Sequence, residues 1–84
     1  MNITERQNAI LMAVIKEFMD DANEVGSLSS VEKYNLGVSS ATIRNEMVKL
    51  MSLGLLEKNH ISSGRLPTDQ ALRLYVSKII DRSS

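Results

Sequence analysis

The chain of 84 residues contains no cysteine and no tryptophan, and its only histidine is His60. Without cysteine, neither a disulfide nor a thiolate metal site can form, and a lone histidine cannot make a metal cluster by itself. The sequence also has no glycine-rich phosphate-binding motif and no second histidine that could activate a serine. It therefore predicts a protein that is not an enzyme and that needs no metal or cofactor.

Long apolar runs are also missing. No segment approaches the roughly 20 apolar residues that cross a bilayer, and the first residues, MNITERQ, have no basic region followed by an apolar stretch. We therefore expect a soluble, cytoplasmic protein that does not enter a membrane. Apolar residues make up 43% of the sequence, enough for one small domain over residues 1–84.

The chain has no net charge, but its charges are segregated. Residues 1–32 hold two basic and six acidic residues, a net charge of −4, whereas residues 33–84 hold eight basic and four acidic residues, a net charge of +4. Such a split predicts a positive surface on the second part, where a polyanion could bind. Chance segregation of solvated charges is the alternative.

Apolar spacing and capping residues predict four helices, at about 5–21, 27–34, 39–53 and 68–81. Thr4 and Gln7 form a capping box, and Ile10, Val14 and Phe18 make a buried stripe on the first helix. Ser39 or Ser40 caps the third helix and Thr68 the fourth. In the third helix, an inward stripe is predicted for Ile43, Met47, Leu50 and Met51.

Turns separate these helices. A turn at 35–38, in which Asn35 or Gly37 takes a positive φ, joins the second helix to the third, and Gly54 stops the third. Two short strands within about 55–67 then form a hairpin. The expected fold is mainly α: a winged helix-turn-helix with a three-helix core, a small antiparallel β-hairpin wing and an additional C-terminal helix.

The third helix, 39–53, carries the pattern expected of a helix that enters the major groove of DNA. Its first turn has short side chains, so that the backbone can come close to the bases, and longer polar groups follow. Asn45 can offer its amide to adenine, Thr42 its methyl to thymine, and Arg44 or Lys49 can reach guanine or phosphate. The alternative is an ordinary capped, solvated helix face.

The hairpin predicts a second contact with DNA, over residues 58–65. Lys58, His60 and Arg65 could straddle the backbone or enter the minor groove, and Ser63 could donate to phosphate oxygens. In the alternative reading the tip touches nothing and Arg65 pairs with Glu57 across the strands.

Four segments carry a family resemblance: ITERQ, EVGS, KYNLGVSSATIRNEMVKLMSLGLLEK and SSGRLPTDQALRLYV. Over about residues 3–77 the chain resembles the N-terminal winged-helix domain of the heat-inducible transcription repressor HrcA family. The resemblance implies a repressor domain that binds an inverted-repeat operator in double-stranded DNA as a homodimer, with a longer C-terminal part for dimerisation. Position by position it implies a reading helix with Ser39, Ser40, Thr42, Arg44 and Asn45, and a wing with Ser63, Gly64 and Arg65.

A second function class stays open at this point. Winged helices also serve as protein-interaction or dimerisation modules without direct DNA readout, and a fold alone does not establish function. The predicted fourth helix is more apolar than one small core can absorb, which favours pairing of two such helices. Its apolar residues are Leu72, Tyr75, Val76, Ile79 and Ile80.

Overall fold

The computed structural model describes residues 3–20, 36–58 and 64–83. The second predicted helix, at 27–34, and the hairpin tip, at 59–63, lie outside the described residues. The described elements are α1 (Glu5–Asp20), α2 (Ser40–Ser52), β1 (Leu56–Lys58), β2 (Arg65–Pro67) and α3 (Asp69–Ser83). Thus α2 corresponds to the third predicted helix and α3 to the fourth.

Helix α1 begins with the predicted capping box. The backbone N–H of Gln7 donates to Thr4 Oγ1, and that of Thr4 donates to Gln7 Oε1, both at 3.0 Å. These reciprocal bonds satisfy two amides that have no partner inside the helix. The first turn of α1 is therefore fixed by local sequence.

The buried face of α1 is wider than the predicted stripe. Ile10 and Val14 are buried as expected, but Phe18 is only half-buried, and Leu11 and Ile15 are fully buried in its place. The stripe prediction was wrong here because α1 contacts α2, β2 and α3. A helix with several neighbours buries more of its circumference than one apolar stripe provides.

Helix α2 is closed at both ends. Ser39 is its N-cap, and Leu53 and Gly54 end it with backbone bonds of 3.0 Å from their N–H groups to Lys49 O and Met51 O. Gly54 has φ +79°, the left-handed conformation predicted at this stop, and Gly37 in the preceding turn has φ +75°. Ile43, Met47 and Leu50 face the core as predicted, whereas Met51 is half-buried.

The strands pair in antiparallel register, with Leu56 opposite Pro67, Glu57 opposite Leu66 and Lys58 opposite Arg65. Leu56 and Pro67 are buried, so this end of the hairpin is anchored on the core. Because alternate residues of a strand point to opposite faces, Glu57 does not share a face with Arg65. The alternative pairing of these two charges across the strands was wrong.

Thr68 joins the end of α2 to the beginning of α3. Its hydroxyl donates to Gly54 O at 2.6 Å and accepts from the backbone N–H of Ala71 at 3.2 Å, which makes it the predicted cap of α3.

Helix α3 is buried near its beginning and exposed farther along. Ala71 is fully buried, whereas Val76, Ile79 and Ile80 are exposed. Lys78 Nζ donates to Asn8 Oδ1, a polar link from α3 to α1.

The described residues contain neither a membrane-spanning helix nor a metal-binding cluster. Among residues 3–20, 36–58 and 64–83, no helix is both long enough and apolar enough to span a membrane. The same ranges contain no group of three or more histidine, aspartate and glutamate side chains that could hold a metal ion.

Candidate nucleic-acid interface

The outer face of α2 lies directly opposite its buried residues. With 3.6 residues per turn, Ala41, Asn45, Val48 and Ser52 fall on one stripe at the back of the Ile43–Leu50 face, and all four are exposed. Arg44 and Lys49, also exposed, flank this stripe on its two sides. The helix therefore presents short and polar groups in the centre and a cation on each side.

The first turn of this helix uses its hydroxyls internally. Ser39 Oγ accepts from the backbone N–H of Thr42 at 3.2 Å and lies 3.0 Å from Thr42 Oγ1. Thr42 is half-buried, whereas Ser39 and Ser40 are exposed. Of the residues predicted in this turn, Ser39 and Thr42 therefore cap the helix, and the exposed groups available to a ligand lie farther along it.

Lys49 has an internal partner. Its Nζ lies 3.4 Å from Oε1 of Glu46, three residues earlier on α2. Glu46 is buried although charged, and a buried carboxylate is costly without a nearby cation. Lys49 therefore neutralises Glu46 while its own side chain remains largely exposed beside the outer stripe.

The burial of Glu46 and the exposure of Val48 were not predicted from the sequence. Glu46 was not singled out, yet it lies in the buried arc between Ile43 and Leu50. Val48 was not singled out, yet 57% of it is exposed in the middle of the outer stripe. Helical spacing could have found both, since Glu46 is three residues from Ile43 and Val48 is three residues from Asn45.

The hairpin places two cations opposite each other. Lys58 at the end of β1 is exposed, and its partner in the register, Arg65 at the start of β2, is half-buried. Arg65 Nη1 donates to Gly64 O at 3.2 Å. Like charges directly opposite on a sheet are unfavourable, and an anion bound between them would remove the repulsion.

The remaining predicted wing residues divide into two groups. Gly64 is buried, and its contact with DNA stays a prediction. His60 and Ser63 lie outside the described residues. The described structure thus brings Arg44, Asn45 and Lys49 onto one helix face, and Lys58 and Arg65 onto one strand pair.

The described helices and the antiparallel hairpin are those of a winged-helix domain, so the predicted fold class is confirmed. A crystal structure described as that of a hypothetical protein superimposes with a TM-score of 0.87 at 37% sequence identity, over 98% of this chain and 25% of the other. No protein-family model matches the chain.

Curated relatives give a more particular result. The chain is 47% identical over 81 residues to the heat-inducible transcription repressor HrcA of Clostridium acetobutylicum, a match that covers 96% of this chain and 24% of the repressor. It is 45% identical over 82 residues to HrcA of Staphylococcus aureus, covering 98% of this chain and 25% of that protein. The chain is similar to the N-terminal region of HrcA repressors and spans about a quarter of their length, which confirms the resemblance.

Proposed function

We propose that this chain binds double-stranded DNA sequence-specifically, as the DNA-binding domain of a heat-shock transcription repressor. In this proposal α2 enters the major groove and the hairpin contacts the backbone or the minor groove. The observation that carries it is the outer face of α2, where Asn45 lies among short side chains between Arg44 and Lys49. The relatives that the chain matches are repressors by name, and their heat response is part of the proposal.

The arrangement of the α2 face fits the major groove, which is wide enough for one helix. Ala41 and Ser52 are small, so they let the helix backbone approach the base edges. Asn45 between them can form two hydrogen bonds with adenine, through its N6 and N7. Arg44 and Lys49 on the flanks are placed for the phosphates that border the groove, or for guanine.

The hairpin supplies the second contact. A phosphate between Lys58 and Arg65 would neutralise two charges that face each other in the register. Contacts of this kind fix the position of a protein on the duplex without reading sequence. An inverted-repeat operator and a homodimer follow from the HrcA resemblance and complete the proposal.

The test compares substitutions of exposed residues on two helices, α2 and α3. Arg44→Ala and Asn45→Ala change the proposed reading face, and Arg73→Ala removes the same charge from the exposed side of α3. Binding is measured by gel shift with duplexes from upstream of the organism's chaperone genes and with scrambled duplexes. We expect the first two changes to cost roughly 1–3 kcal/mol on the cognate duplex and to relax base preference. Arg73→Ala should leave base preference intact.

A specific result would contradict the reading role of Asn45. If Asn45→Ala weakened binding to cognate and scrambled duplexes by the same factor, its amide would not be reading a base. If wild-type protein bound neither duplex, DNA binding by the domain would itself be rejected.

The exposed face of α3 favours a second candidate function, self-association. Val76, Ile79 and Ile80 are 51%, 45% and 61% exposed, and an open groove of about 420 Å³ runs beside them along Leu72, Val76 and Ile80. Exposed apolar surface of this kind is typical of protein contacts. Ile80→Glu tests this function better than a change at Tyr75, which is half-buried against the core.

Light scattering measures the molecular mass of wild type and Ile80→Glu and so tests self-association through α3. We expect a dimer mass for wild type that falls to the monomer mass in the variant, because a carboxylate in an apolar contact is costly. The same monomer mass in both proteins would remove self-association through α3. Loss of DNA binding with self-association retained would favour the interaction module over the DNA-reading domain.

A further inference from the structure

We infer that Val48 is a specificity-determining residue that reads the C5 methyl group of a pyrimidine in the major groove. This inference rests on the proposed function, because it places α2 in that groove. The methyl group is carried by thymine in ordinary DNA and by 5-methylcytosine in modified DNA. Both sources present the same small apolar surface on the groove floor.

The position of Val48 is the first observation. It is 57% exposed, it lies on the outer stripe with Ala41, Asn45 and Ser52, and it stands between the flanking Arg44 and the centre of that stripe. Its two methyl groups therefore point away from the core, in the direction that the proposal assigns to the bases.

Packing and helix propensity do not account for a valine at this position. The core cluster of the described residues draws on Ile43, Met47 and Leu50 from α2 and does not include Val48. A β-branched side chain is also less favourable in an exposed helix than alanine or a long polar residue. The side chain thus brings no evident gain to the isolated domain, whereas an apolar contact with a ligand would give it one.

The other groups on the stripe cannot make this contact. Ala41 is short, and Ser52 donates its hydroxyl to Lys49 O at 2.7 Å. Asn45 offers a polar amide suited to adenine. Val48 is therefore the apolar side chain on the outer stripe with enough length to reach a methyl group.

The spacing from Asn45 predicts which base pair is read. Three residues of helix advance about 4.5 Å along the axis, close to the roughly 3.4 Å between neighbouring base pairs. If Asn45 binds an adenine, Val48 then reaches an adjacent pair. The preferred site should hold an adenine and, at the next position on one strand or the other, a thymine.

The test starts from a pool of duplexes with a randomised central segment. Wild type, Val48→Ala and Met19→Ala each select from this pool, and the selected base preferences are compared. Met19→Ala is a matched control, because it also truncates an apolar side chain at a similarly exposed helical site, 58% exposed on α1. Both variants should unfold at the wild-type temperature or above, since neither site is packed in the core and alanine favours helix.

We expect wild type and Met19→Ala to select thymine at one position that Val48→Ala no longer discriminates. Replacing that thymine by uracil, which lacks only the methyl, should weaken wild-type binding about fourfold, as roughly 0.8 kcal/mol per methyl-sized group predicts. The same replacement should leave Val48→Ala unaffected. Tighter wild-type binding to the thymine duplex than to one with 5-methylcytosine there would identify thymine as the source, and the reverse order would identify 5-methylcytosine.

Two results overturn the inference while leaving DNA reading intact. One is a thymine preference that survives Val48→Ala. The other is an equal effect of uracil on wild type and Val48→Ala. A wild-type chain that selects no sequence at all would instead reject the proposed function, and this inference with it.

Discussion

Helices α2 and α3 both expose one face, but the two faces differ in kind. The outer face of α2 combines the amide of Asn45 with short side chains and has a cation on each side. The helix is fixed by a cap at one end and a positive-φ glycine at the other. The outer face of α3 is apolar, and in this helix Ala71 near its beginning is the fully buried residue.

This difference shows what each face can bind. A rigid polar face can present hydrogen-bonding groups at fixed spacing, which base reading requires. An apolar face offers no such pattern, but its contact with another apolar surface is stabilised because both surfaces are removed from water. We therefore propose that α2 reads bases and that α3 mediates self-association.

Truncation on the two helices should give the largest contrast. Leu50 of α2 is fully buried, and Leu50→Ala should lower the free energy of unfolding by about 2–5 kcal/mol through lost burial and a cavity. Ile80→Ala on α3 should change it by less than about 0.5 kcal/mol at a protein concentration that keeps the chain monomeric. Urea denaturation of both variants measures this. Equal destabilisation would show that α3 is as tightly packed as α2.

Salt should separate the two kinds of binding. If Arg44, Lys49, Lys58 and Arg65 all contact phosphates, affinity for DNA should fall roughly a hundredfold between 50 and 200 mM salt. Self-association through the apolar face of α3 should hardly change over this range, because it displaces no condensed counterions. Fluorescence anisotropy with labelled duplex and light scattering provide the two measurements. Salt-independent DNA binding would contradict the cationic contacts.

Thr68 tests the junction between the two helices. Thr68→Val removes the bond to Gly54 O and the cap of Ala71, and should cost about 0.5–2 kcal/mol of unfolding free energy. Thr4→Val is the control, since Thr4 caps α1 through Gln7 but does not link two helices. Urea midpoints compare the variants. A smaller loss for Thr68→Val than for Thr4→Val would mean that the link to Gly54 adds nothing.

Much of the fold was predictable because its signals are local. The Thr4–Gln7 capping box, the Ser39 cap, the Gly54 stop and the Thr68 cap each depend on residues within a few positions of one another. Such contacts form in any helix that contains these residues, so spacing in the sequence is enough to identify them. The exposed Arg44 and Asn45 followed from the same helical periodicity.

The parts of the candidate site that were missed depend on distant neighbours. Gly64 was expected at the DNA surface, but it is buried. Arg65 was considered as a partner of Glu57, but the register places it opposite Lys58. The burial of a residue is not determined by its neighbours in the sequence. The register of two short strands is not determined by them either.

The sequence by itself determined where α1 and α2 begin and end and where α3 begins, to within one residue, that a hairpin follows α2, and that Ile43, Met47 and Leu50 face away from Asn45. Capping bonds, positive-φ glycines and the 3.6-residue period act within one turn of helix, which is why they can be read from the order of residues alone. Only the tertiary structure decided that α1 buries Leu11 and Ile15 in preference to Phe18, and that Val76, Ile79 and Ile80 of α3 remain exposed. These outcomes depend on which elements meet in space, because burial is a property of neighbours that may be dozens of residues away in the chain.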